Sequence, residues 1–231
     1  MGIFDFVTSV ANKVSSVVST AVSKAGELLR SPMISGALHL AAHLIPGGQL
    51  ASIALRLTGM LHAFNMMPKD QNIDNLGERA LQAAGTGLTP EKFSNFSEYM
   101  QELQNFKLDP DVEKDRDPLT KQMAGIGIGV LGIADKMQVS NDSTLKALLL
   151  STLDGQYFST AKTIEILKQG SPFVQDIIDY FGRRLDGKES GKVEDTMAKI
   201  DHDLEPESTP QETYDKLDAL RAKGGTENAS E

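Results

Sequence analysis

Residues 118–137 read PLTKQMAGIGIGVLGIADKM, and the fold class turns on what these glycines are for. Gly127, Gly129 and Gly132 match the G-x-G-x-x-G pattern of a dinucleotide-binding turn, with Asp154 at about the distance a ribose-binding acid would take. Such a turn follows a β-strand, which carries the glycines to the mouth of a parallel sheet. Here the lead-in is Asp117-Pro118 instead. A capping carboxylate followed by a residue with no N–H to waste is how a helix begins. The glycines therefore fall inside a helix. Gly125 and Gly129, four apart on one face, clear a path for a second helix to approach closely. No cofactor is expected.

The same punctuation recurs outward from this run. Ser31-Pro32, Thr89-Pro90, Ser171-Pro172 and Thr209-Pro210 all put a capping side chain before proline, and Thr209 with Glu212 completes a capping box. Pro46 and Pro68 follow apolar runs and read as stops. Helices are expected at about 3–29, 32–45, 49–66, 73–84, 90–106, 118–138, 143–153, 158–168, 172–185 and 210–222. No alternating apolar run is bounded by turns, so strands are not expected. The class is all-α. Its parts are an N-terminal amphipathic helix plus an apolar helical hairpin (1–67), a central helical bundle (68–186), and a flexible acidic C-terminal tail with one short helix (187–231).

The chain of 231 residues has no Cys and carries a formal charge of −9. Lacking Cys, it can build neither disulfides nor thiolate metal sites nor a cysteine nucleophile. Its acidity argues against nucleic acid as a partner, because phosphate backbones call for a basic face. Residues 1–67 are net +2 and residues 186–231 net −7, so the two ends meet different surroundings. The start has Asp5, no basic leader and amphipathic rather than solid apolar patterning, so a cleavable signal peptide is not expected.

In the first helix Ile3, Val7, Val10, Val14, Val17, Ala21 and Leu28 fall on one stripe, which Phe6 and Val18 widen. At 1.5 Å per residue this rod is roughly 40 Å long. Its opposite face is rich in Ser and Thr, with Lys13 and Lys24 its only charges. That pairing suits a lipid surface entered by apolar insertion. The spacing also suits a homo-oligomeric coiled coil or a core helix. Rich in β-branched residues, Ser and Thr, the segment is a weak helix alone and needs a template. The opening Met1–Phe4 resembles the start of the phage-shock membrane-remodelling family, which implies a first helix lying on lipid. The long charged coiled-coil hairpin of that family does not follow.

Residues 33–67 are the most apolar stretch, folded about Pro46-Gly47-Gly48. The first limb is too short to span a bilayer, and the second carries Arg56 and His62. A buried or interfacial hairpin is expected. His39 and His43 share a face at i, i+4, but Leu40 stands where a zinc hydrolase needs Glu, so no metal is expected there. On a membrane these two histidines would sense acid, since protonation puts charge on the apolar face. The acids from Asp109 to Asp117 miss the calcium-loop pattern at Lys114 and Thr120 and read as a solvated connector.

No catalytic set is assembled by spacing, so an enzyme is the third expectation only. From Gly187 to about Thr209 the chain is polar and acidic and reads as a flexible linker. The helix after it shows Tyr214, Leu217 and Leu220 on one face. That face either docks a protein partner or folds back on the bundle. The leading expectation is a non-enzymatic protein that meets a membrane surface through residues 1–67. It would be a virion-delivered or secreted translocation or ejection component. The alternative is a soluble assembly or adaptor protein that homo-oligomerises through the same residues.

Overall fold

A computed structural model describes residues 47–113 and 116–226. Among them are ten α-helices, one 3-10 turn and no strand, so the all-α class holds. In chain order the helices are α1 (Gly47–Ala63), α2 (Ile73–Gly85), α3 (Phe96–Asn105), α4 (Pro110–Glu113), α5 (Pro118–Met137), α6 (Asn141–Leu150), α7 (Thr160–Lys168), α8 (Ser171–Phe181), α9 (Gly187–Leu204) and α10 (Pro210–Thr226). Local chemistry starts most of them. Asn72, Asn95, Asp117, Ser140, Ser159 and Asp186 each accept a backbone N–H of the first turn through the side chain.

The glycine-rich run is helix α5, as its capping start predicts, and it sits at the centre of the bundle with Met123, Ile126, Ile128, Val130 and Ile133 buried. Three of its glycines, Gly125, Gly129 and Gly132, each meet a neighbour. A Cβ on Gly125 would stand 2.0 Å from the Ile73 carbonyl oxygen, and one on Gly77 would stand 1.8 Å from that of Lys121. Helices α2 and α5 therefore cross backbone to backbone, antiparallel, with no room for a side chain at either site. Gly129 admits Leu57 and Leu61 of α1, and Gly132 admits Met66 and Phe96.

Helix α1 supplies Leu50, Ile53, Leu57, Met60 and Leu61 to the same core. The second limb of the apolar stretch is thus spent on the protein's own interior. Arg56 is tolerated there because its guanidinium donates to the Gly155 carbonyl (2.6 Å) and to Thr160 Oγ1 (3.2 Å), although burial lowers its pKa. The expected helix 90–106 is broken. Thr89 makes no side-chain cap, Pro90–Lys92 form a single 3-10 turn, and Phe93 is extended before Asn95 caps α3.

The C-terminal part differs most from expectation. Residues 187–204 are not a flexible linker but the 18-residue helix α9. Asp186 and Glu189 form a reciprocal capping box at its start (2.8 and 3.3 Å). Val193, Met197, Ile200 and Leu204 then recur at spacings of four, three and four, and the first three are buried. A stripe one residue wide is enough when a core is waiting for it. Only residues 205–209 separate α9 from α10, which Thr209 and Glu212 cap as their spacing predicts. Within α9, a Cβ on Gly191 would meet nothing within 4 Å. Gly191→Ala should stabilise the fold by about 0.5–1 kcal/mol through lost chain entropy, read as a raised urea midpoint at constant m-value.

Candidate functional site

A dense polar cluster lies where α7, α9 and α10 meet. Asp154, in the loop after α6, accepts the N–H groups of Gln156 and Tyr157 (3.0 and 2.9 Å). This Asx turn sets Tyr157 at the mouth of α7. Ser159 caps α7 by accepting the N–H of Lys162 (3.2 Å), which starts the turn that carries the Lys162 side chain inward. Asp201 comes from the last turn of α9, next to the buried Ile200. Thr213 comes from the first turns of α10.

Asp201 is 7% exposed and its two oxygens take three donors. Oδ1 pairs with the Lys162 ammonium. Oδ2 accepts from the Tyr157 hydroxyl (3.0 Å) and the Thr213 hydroxyl (2.8 Å). The Lys162 ammonium also lies 3.4 Å from the centre of the Tyr157 ring. Lys216 pairs with Asp154 (2.7 Å) and lies 5.8 Å from the centre of the same ring. An open cleft of about 1010 Å³ lies over the cluster, walled by Leu204, Glu205, Pro206 and Glu207. Burial pushes the Lys162 pKa down against the pull of Asp201. Asp154 is held below its ordinary value because Lys216 and the two backbone donors outweigh its burial. With Lys162 spent on Asp201 and the ring face, the arrangement works as a clasp holding the last two helices to the bundle.

A second buried carboxylate, Glu78 of α2, is held by Arg116 (3.0 Å) and Gln82 (2.7 Å). Gln82 also bonds the backbone of Asp109 in both directions, so the acidic connector is anchored at both ends.

Burial and a carboxylate partner raise the phenol pKa of both Tyr157 and Tyr180. Above about pH 10 the unfolded chain gives up these protons and the native chain keeps them. The native state then binds more protons, so stability falls as pH rises. The lowered pKa of Lys162 has the opposite sign, so the share of each phenol is read by removing it alone. Tyr157→Phe and Tyr180→Phe should each flatten the alkaline loss, read from urea midpoints between pH 8 and 11.

The residues expected to act separate into two groups. Ile3, Phe6, Val7, Val10, Val14, Val17, Val18, Ala21, Leu28, His39 and His43 lie outside the described residues. Leu217 and Leu220 are buried in the protein's own core against α8 and α9, and Tyr214 donates to Asp195 of α9 (2.7 Å). The face read as a partner-docking surface is therefore already occupied, and the fold-back alternative is the one the structure has. Lys162, Asp201, Tyr157 and Thr213 are not legible in the sequence as a cluster, because they are far apart along the chain and Asp201 falls within a polar, acidic stretch. Among the described residues no helix is long and apolar enough to cross a membrane, and no three acids or histidines are grouped to hold a metal. Compared with known proteins, the chain matches no family model, no curated protein and no solved structure.

Proposed function

We propose that this is a non-enzymatic, membrane-associating helical protein in which residues 1–46 supply the lipid contact and residues 47–226 form the folded body. A virion-delivered or secreted translocation or ejection component fits that division. The observation carrying it is the self-sufficiency of the described core. Among the described residues only Leu55 (71% exposed) and Val112 (48%) are large apolar side chains left in the open. The stripe from Ile3 to Leu28 is therefore not needed to cover the body. A serine-rich amphipathic segment that is a poor helix alone gains its template from a lipid interface.

Flotation tests the reading. The full chain should float with phosphatidylcholine vesicles, and Val14→Asp/Val17→Asp should stay at the bottom. A fragment of residues 47–231 should remain folded and unbound. A fragment beginning at residue 68 should lose its helical signal, because it discards Leu50, Ile53, Leu57, Met60 and Leu61 from the core. A full chain that ignores lipid, and sizes as an oligomer that becomes monomeric without residues 1–30, would establish the assembly alternative instead.

A further inference from the structure

The described arginines sort by what receives their N–H groups. Arg56 donates to the Gly155 carbonyl, Arg79 to the carbonyls of Gln104 and Phe106, Arg116 to Glu78 and Arg184 to Asp179. Arg183 and Arg221 have no such acceptor among the described residues. Both line one hollow of about 290 Å³ where the end of α8 meets α10, completed by Asp218 and Ala222. Two like charges share this hollow beside a stretch, 186–231, with 13 acids against 6 bases. Asp218 offsets one of the two, which leaves one positive charge for a group of opposite sign to meet.

We propose that this hollow binds a phosphate group through Arg183 and Arg221. Arg221 lies over the Tyr180 ring, 4.7 Å from its centre, and the Tyr180 hydroxyl is fixed by donating to Glu194 (2.9 Å). A guanidinium stacked in this way keeps its edge donors for a ligand and has less freedom left to lose on binding. Arg183 sits just past α8 in a left-handed conformation (φ 55°). The turn is closed by its own N–H to Tyr180 O (3.1 Å) and by the Arg184 N–H to Asp179 O (2.9 Å).

The donor set selects the ligand. Two guanidinium forks together ask for more acceptor oxygens than one carboxylate offers, whereas a phosphate monoester offers three and a charge near −2. Asp218 is the acid in the lining, and its Oδ1 is 3.5 Å from the Tyr180 hydroxyl. Its charge opposes an incoming anion, so a ligand must engage both arginines to outweigh it. The phosphate comes either from a free ester or from a lipid headgroup. The site stands apart from the membrane reading above, since its chemistry is tested without lipid.

The full chain is titrated with glycerol 3-phosphate by calorimetry. Saturable binding is expected, weakened about tenfold or more by Arg183→Gln and by Arg221→Lys, which keeps the charge and loses the fork. Lys199→Gln removes the same charge from the exposed face of α9 and should leave binding unchanged. Arg183 is exposed, so its variant should keep the parent melting temperature. Flotation on phosphatidylcholine vesicles with and without phosphatidate then names the source. A phosphatidate-dependent gain that Arg183→Gln abolishes assigns a lipid headgroup, and ester binding without that gain assigns a free phosphate ester. No saturable binding in either arm, or an equal loss in Lys199→Gln, overturns the proposal.

Discussion

Gly125→Ala should leave the chain unable to reach its native fold, and Gly77→Ala should do the same. In each case the new methyl meets backbone, at 2.0 Å from the Ile73 oxygen and 1.8 Å from the Lys121 oxygen. Neither oxygen can rotate away as a side chain would, so relief requires α2 and α5 to separate. That separation uncovers Ile73, Leu76, Met123 and Ile126, all buried at the crossing. Overpacking of an ordinary core costs about 1–3 kcal/mol, and two helix backbones forced apart should exceed that range. Gly129→Ala is the graded comparison. Its methyl meets the flexible ends of Leu57 and Leu61, nearest at 2.7 Å, and should cost no more than about 1–3 kcal/mol. Gly85→Ala, with nothing within 4 Å, is the control. Urea unfolding and gel filtration of the four variants check the order.

Asp201→Ala should destabilise the fold by about 3–5 kcal/mol, because it strands the Lys162 ammonium in a buried site and unbonds Tyr157 and Thr213. The loss should be far smaller when the partner is removed as well. Lys162→Met/Asp201→Leu replaces the ion pair by apolar volume, and such exchanges are often neutral or better. Thr213→Val, which removes one donor and leaves the ion pair, should cost about 1 kcal/mol. A double-mutant cycle on urea midpoints near pH 7 separates the pair from its neighbours. Limited proteolysis adds location: in Asp201→Ala the first cuts should fall within residues 205–226, the segment the clasp holds down.

Where the sequence states its intent in adjacent residues, it can be read. Asp117-Pro118 announces α5, and Thr209 with Glu212 announces α10, since cap and acceptor lie within one turn. The purpose of Gly125 and Gly129 follows from their spacing. What fails is averaging. Residues 187–209 look unable to fold by composition, yet four apolar residues at helical intervals suffice once α7 and α8 offer a surface. Thr89-Pro90 has the right dipeptide and no helix to start, because the chain turns extended at Phe93. The Asp201 clasp is beyond any local rule. Its members are contributed by a loop and three helices, and only tertiary packing makes neighbours of Tyr157 and Thr213.

The tyrosines carry an optical consequence. The chain has no Trp and four Tyr, so its ultraviolet emission comes from phenols alone. Tyr157, Tyr180 and Tyr214 donate to carboxylates, and these carboxylates are all on one helix: Asp201, Glu194 and Asp195 of α9. An excited phenol is a far stronger acid than one in its ground state, and a bonded carboxylate drains its emission by taking the proton. The native protein should therefore be dim in phenol emission, and should brighten when α9 lifts away, even with the rest of the bundle intact. Without any label, the chain reports the docking of its own C-terminal hairpin as light.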